Sequence, residues 1–289
     1  MTQSELHALI NLLDDDQIYD DVRKRLVEHG KEALPYLREV LDHEDMPRMK
    51  QAREILREIH NQVYEEEWIE MLQRMQGRDL DLERATWLLA QFAYPALDVS
   101  SYREELDIIA DEVRERIRIT DNIEDRIRRM VSVLANNYGF TGNADEYYDP
   151  ENTFMNRVID RRLGIPIALS TLYLMVAKRL GLPLVGVGIP SHFMLKYEPE
   201  RYTFEEEFYI DVFHHGRILG RMALERFCIK AGLGFQSYFV EPVTNADIIE
   251  RMMRNLVLVY TKNDDNDSLN RLQTLLDLYA EHYADQTPR

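Results

Sequence analysis

The fold is constrained most by the stretch from Asn152 to Arg217. It reads NTFMNRVIDRRLGIPIALSTLYLMVAKRLGLPLVGVGIPSHFMLKY and, after an acidic connector, FYIDVFHHGR. Proline suits the first turn of a helix, where its missing N–H has no intrahelical partner, so a helix is expected from Pro166 to Leu180. Within it Ile167, Leu169, Leu172, Tyr173, Leu174, Met175 and Val176 cover nearly all sides, the pattern of a buried helix. Gly181 is placed to cap it, and Pro183 forbids its continuation. LVGVGI, HFMLKY and FYIDVF then read as short strands, with RIL a fourth after the turn HHG. A buried helix followed by consecutive short strands predicts an α+β packing with a small antiparallel sheet.

The flanks read as helical. Leu6, Leu9, Ile10 and Leu13 share one face; Val22, Leu26 and Val27 share a second, which Gly30 is placed to end. Leu34, Leu37, Val40 and Leu41 follow, then an acidic turn at 42–45, then Ala52, Ile55, Leu56 and Ile59. Farther on, Trp68, Met71, Leu72 and Met75 form a face stopped by Gly77, and Leu82, Ala85, Leu88, Leu89 and Phe92 form another. Asp121 and Glu124 are spaced as a capping box for a helix that Gly139 ends. The turn-rich loop after it carries Phe140, Tyr147 and Tyr148, which need somewhere to pack. Beyond Met222, Ile248 to Tyr260 and Leu269 to Tyr279 form two further faces separated by DDNDS. The expected division is a helical segment at 1–60, a core with its preceding helices at 61–240, and a helical hairpin at 241–289.

The acidic residues number 52 against 35 basic ones, a net charge of −17. That balance repels phosphate backbones and argues against nucleic-acid binding. Basic stretches such as RKRLVEHGKE interleave acids at helical spacing and read as solvated faces. No apolar run nears the roughly 18–20 residues that a membrane span needs, and no secretory signal is visible at the start. A single cysteine, Cys228, excludes an internal disulfide and suits a reducing compartment. The expected location is the cytoplasm.

His192 and Asp211 are the first candidate site residues, because antiparallel pairing of their runs brings them to neighbouring positions. An Asp that accepts from an imidazole fixes its tautomer and prepares a general base; the same pair can also simply satisfy itself in a polar cleft. Ser170 lies one turn beyond Pro166 on the same helix face. It sits past the first turn, where amides are already bonded, so oxyanion support there is poor, and serine or threonine in a helix also bonds back to a carbonyl one turn earlier. Ser191 is expected on the opposite strand face from His192. His214 and His215 should point apart unless a turn brings one inward, and with no recognisable ligand motif neither a metal nor a cofactor is expected. Asn152 and Asn156 read as bracing the cleft loop or offering amides to a ligand. Arg157, Asp160, Arg161 and Arg162 read as surface ion pairs, the alternative being that one arginine faces the cleft and holds a carboxylate, and Cys228 in LERFCIKAG reads as a packing thiol.

GIPIALSTLYLMVAKRLGLPLVGVGIPSHFMLKY followed by YIDVF resembles the transglutaminase-like core of cysteine peptidases and transglutaminases. More narrowly, YPALDVS, GFTGNADEYYDPENTFMNRVIDRRLGIPIALS, GLPLVGVGIPSHF and DVFHHGR resemble the SirB-type branch of that superfamily, over about Leu80 to Arg217. The resemblance implies a papain-like core with Cys at the start of the buried helix, His on the following strand and Asp on the next. His192 and Asp211 stand at the last two positions, while Pro166, which has no nucleophile, stands at the first. In the flanks, LHALINLLDDD and EHGKEALPYLREVL, with Pro35, resemble HEAT-type repeats, and the C-terminal hairpin is similar to a tetratricopeptide-type unit. The resulting expectation is a mostly helical α+β protein that has lost thiol catalysis. It would bind a peptide or protein partner in the old cleft, around His192, Asp211, Pro166, Ser170 and Asn156, in a regulatory role. The rival is a hydrolase or acyl-transfer enzyme with His192 as base, Asp211 as its orienter, and Ser170 or water as nucleophile. The two differ on whether the Ser170 hydroxyl reaches His192. The oligomeric state is not legible.

Overall fold

The apolar stripes at the start of the sequence become helices in the computed structural model, which describes residues 3–15, 17–41, 46–74, 78–199 and 206–284. The acidic turn expected at 42–45, the helix stop expected at Gly77 and most of the acidic connector (200–205) lie outside the described residues. The protein divides into two compact units, Met1–Arg74 and Met75–Arg289.

In the first unit, α1 (Gln3–Asn11), α2 (Tyr19–His29), α3 (Leu34–Leu41) and α4 (Met46–Gln73) enclose one core. Leu13, Leu26, Leu37, Ala52, Ile55 and Ile59 are fully buried within it. Gly30, in a left-handed conformation at φ 54°, ends α2 as its position implied. The faces read as two separate helices, Ala52 to Ile59 and Trp68 onward, lie on the single 28-residue helix α4, which runs unbroken past residue 60.

The second unit opens with α5 (Leu82–Ala93) and α6 (Val99–Arg116), whose N-caps Asp81 and Asp98 accept from first-turn amides. The cap of α7 (Ile123–Ser132) is Asn122, not Asp121 as the sequence suggested. The Asp121 carboxylate is taken by the guanidinium of Arg129 and the N–H of Arg118, so the neighbouring amide does the capping. After a π-helical turn at Val133–Asn137, β1 (Thr141–Gly142) pairs in parallel with β2 (Leu163–Gly164) on either side of α8 (Met155–Arg161). Then comes α9 (Pro166–Leu180), with Pro166 in its first turn and Gly181 as its left-handed cap. Nearly every side of α9 is buried, as its all-round apolar pattern requires.

The strands β3 (Leu184–Val187), β4 (Met194–Tyr197), β5 (Phe208–Asp211) and β6 (Arg217–Gly220) form an antiparallel meander. A short strand, β7 (Pro242–Val243), completes the order β6-β5-β4-β3-β7. The helices α10 (Arg221–Lys230), α11 (Asn245–Lys262) and α12 (Asn266–Ala284) follow the meander. Both faces of β4 and β5 are buried. On one face Val187, Met194, Tyr209 and Leu219 pack with Leu224 and Cys228 of α10. On the other, a Cβ at Gly186 would touch Phe193 and Ile248 of α11, and α11 meets α9 where Thr171 approaches Met252 at 3.8 Å. The architecture is the mostly helical α+β packing that the strand and helix patterns predicted. Among the described residues no helix is long and apolar enough to cross a membrane.

Candidate functional site

His192 is positioned by a tight turn. Its backbone N–H donates to the Ile189 carbonyl at 2.9 Å, closing the four residues Ile189 to His192. Pro190 presets the first central position and Ser191 takes φ 61° at the second, the pattern of a type II turn, which normally has glycine there. Ser191 is therefore exposed in a left-handed turn and not on a strand face, because β4 begins only at Met194. Arg251 of α11 clamps this turn, with Nη2 donating to the carbonyls of Ile189 at 3.0 Å and His192 at 2.8 Å. Sequence reasoning passed over Arg251. On α11 it stands with Asp247, Arg254 and Asn255 at the edge of the apolar face, so the local pattern did not single it out.

Asp211 ends β5. The register Leu195 to Ile210, carried one step further, sets Asp211 across from Met194, so His192, two residues earlier, is its diagonal neighbour on the same face. His192 Nε2 lies 3.0 Å from Asp211 Oδ1. The backbone then turns through Val212 to Gly216, with His215 and Gly216 both at positive φ, and folds His214 back onto the same carboxylate. His214 Nδ1 is 2.7 Å from Oδ2, and its backbone N–H is 3.3 Å from Oδ1. The two adjacent histidines thus part at a turn: His214 joins Asp211, while His215 does not.

This geometry fixes the protons. An ionised carboxylate only accepts, so the nitrogens that face it, His192 Nε2 and His214 Nδ1, carry protons, and in a neutral His192 ring Nδ1 is the lone-pair atom. Asp211 is almost fully buried, at 2% exposure. Burial pushes its carboxyl upward, but the hydrogen bonds and charges of His192 and then His214 outweigh that and hold it below the ordinary carboxylate range. The His192 ring packs near Phe213 and Phe227, with centroids 6.2 and 5.5 Å away. One donor atom from each of His192, Asp211 and His214 lies within 4.8 Å of the others. No metal site was expected from the sequence, yet the 212–216 turn makes this a donor set able to take a divalent ion in place of the two protons.

The remaining candidates fall elsewhere. Pro166 is buried in the first turn of α9. Ser170 Oγ is buried and has no hydrogen-bond partner among the described residues, His192 included. The sheet explains this, since the His192 ring lies with Phe227 on the α10 face while α9 and α11 cover the other. Thr171 makes the back-bond to the Ile167 carbonyl at 2.9 Å, whereas Ser170 makes none. Cys228 is buried on α10, where burial pushes its thiol up, and it makes no hydrogen bond to His192.

Asn152 braces the loop. Its Oδ1 accepts from Asn143 at 3.0 Å and its Nδ2 donates to the Glu146 carbonyl at 2.6 Å. Asn156 Oδ1 is buried without a hydrogen-bond partner among the described residues. The loop is tied to the site through Gly142, whose N–H donates to the Phe213 carbonyl at 3.0 Å. Arg157 and Arg161 pair with Glu151, Asp160 and Asp149, and Arg162 pairs with Glu105.

Residues 100–254, which include both His192 and Asp211, match the transglutaminase-like superfamily. A UPF0162 protein of Xylella fastidiosa (strain Temecula1 / ATCC 700964) is 31% identical over 199 residues, covering 66% of this chain and 69% of that protein. A UPF0162 protein of Vibrio cholerae is 29% identical over 131 residues, 44% of this chain and 47% of the other. F-box only protein 21 of Mus musculus is 36% identical over 158 residues, 53% of this chain but 25% of that longer protein. No solved structure matches this protein. With more than half of its length matched, and with the histidine and aspartate paired inside that span, this chain belongs to the transglutaminase-like superfamily and is related to the UPF0162 proteins.

Proposed function

We propose that this protein holds a SirB-type transglutaminase-like domain that binds a peptide or protein segment beside the His192–Asp211 pair without turning it over, in a regulatory role. One observation carries the reading: among the described residues, the assembled histidine–aspartate pair has no side-chain nucleophile hydrogen-bonded to it. Pro166 opens α9, the Ser170 hydroxyl is buried without a partner, and Cys228 packs in the α10 core. An acyl-transfer mechanism needs a nucleophile within hydrogen-bond reach of its base. What remains is a largely buried imidazole flanked by Phe213 and Phe227 beside the exposed His214, an arrangement that supports holding a peptide group through the imidazole. The occurrence of a similar segment as a quarter of F-box only protein 21 fits use of this fold as a module.

A second reading has its own support. The free His192 Nδ1 could take a proton from water, which would make the domain a hydrolase with water as nucleophile. One experiment separates the two. A random-peptide phage library is panned against the wild type, His192→Ala and Ser170→Ala, and each enriched peptide is then incubated with the protein and followed by mass spectrometry. The binding reading predicts peptides retained by the wild type and Ser170→Ala, lost with His192→Ala, and recovered intact. Cleavage that disappears with His192→Ala would overturn it.

A further inference from the structure

Among the described residues the guanidinium of Arg251 has no acid partner. In a protein with 52 acidic residues, a cation of comparable enclosure, Arg179, is held by both Glu83 and Asp107. Arg251 is half-buried and reaches no carboxylate among the described residues. Its hydrogen bonds there are the two from Nη2 to the carbonyls of Ile189 and His192, which leave the N–H groups of Nη1 and Nε without acceptors among the described residues. The guanidinium lies over the Phe193 ring at 5.5 Å, which fixes its plane. Carbonyl dipoles and an aromatic face offset a desolvated charge only in part, and burial holds this guanidinium below its ordinary range.

The second group is Tyr147. It is half-buried in the loop braced by Asn152, and that loop is hydrogen-bonded to the 212–216 turn through Gly142 N–H and the Phe213 carbonyl. Its hydroxyl has no hydrogen-bond partner among the described residues. Its ring leans on Phe213 at 6.1 Å, and Phe213 in turn touches His192. Spare guanidinium donors and a spare phenol donor thus lie beside the turn that presents His192.

We propose that Arg251 and Tyr147 form a subsite for a carboxylate of the bound peptide, from an acidic side chain or from the peptide's own C-terminus, received by the unused guanidinium N–H groups and the tyrosine hydroxyl. The proposal rests on the peptide-binding reading and adds a ligand class to it. A carboxylate completes Arg251 as an ion pair, and Arg251 also sets the His192 turn, so occupation of the subsite is felt at His192.

The test is a titration of the full-length protein, followed through the arginine Nε–H resonances in ¹H–¹⁵N spectra. The probes are N-acetyl-aspartate amide, N-acetyl-glycine and inorganic phosphate, each against sodium chloride at matched ionic strength. The expected result is a saturable shift of the Arg251 Nε–H with one or both carboxylates. Apparent affinity should fall about threefold to tenfold in Tyr147→Phe, which leaves the His192 turn untouched, and by more in Arg251→Gln. A shift confined to an aspartate side chain or to a C-terminal carboxylate identifies the source. Shifts no larger than those with chloride, shifts with phosphate alone, or affinity unchanged in Tyr147→Phe would each overturn the subsite. Peptides panned as above that bind with every carboxylate amidated would sink the subsite and spare the peptide reading. A carboxylate shift with no retained peptide would do the reverse.

Discussion

Asp211 accepts from two imidazoles while almost wholly removed from water, and that pairing makes its contribution to stability dependent on pH. A carboxyl held below its ordinary value in the folded state stabilises the fold above the unfolded value of about 3.9, and that gain is lost as pH falls through the folded value. Asp211→Asn should therefore lower unfolding free energy at pH 7 by about 1.5–3 kcal/mol, the scale of charged hydrogen bonds. The gap to the wild type should close progressively below about pH 4. Urea melts between about pH 3 and pH 7 read this directly, and a gap independent of pH would mean that the carboxyl is not ionised in the pair. Ser191 carries the opposite kind of cost. At φ 61° a side chain is strained, so Ser191→Gly should leave stability unchanged or raise it by up to about 1 kcal/mol, measured by thermal denaturation.

The turn from Val212 to Gly216 brings His214 to Asp211, and its geometry depends on Gly216. That residue sits at φ 68°, and a Cβ there would lie 2.3 Å from Val131 Cγ1. Gly216→Ala should cost about 2–4 kcal/mol and displace the His214 ring signals in NMR spectra; a variant as stable as the wild type would show that the turn yields easily. Nothing in the repeat of apolar residues announces such a turn, and the same limit explains much of what sequence reasoning missed. α9 and the four-strand meander were legible because burial writes a period into the sequence, and the His192–Asp211 pairing followed from antiparallel strands. The two-residue strands β1, β2 and β7 are too short to carry a period. Asn122 rather than Asp121 caps α7 because a distant ion pair with Arg129 decides between two equally good capping residues. Arg251 was hidden because its role is to bind backbone carbonyls about sixty residues away in sequence, which no local pattern records.

At the scale of the whole molecule, the residues that hold the site in place belong to Met75–Arg289, while Met1–Arg74 encloses a core of its own. A fragment of residues 78–289 should accordingly fold cooperatively and keep the hydrogen-bonded His192 Nε2 proton as a slowly exchanging resonance absent from its Asp211→Asn form. Loss of that resonance on truncation would show that the site needs the first unit. Within the larger unit a transglutaminase-like pair stands assembled, with no side-chain nucleophile in reach among the described residues. The most direct test is to mix the full-length protein with an activated acyl ester and follow both the release of the leaving group and the intact mass of the protein. The expected result is no His192-dependent burst and an unchanged mass at Ser170. A burst abolished by His192→Ala, together with an acyl adduct mapped to Ser170, would contradict it.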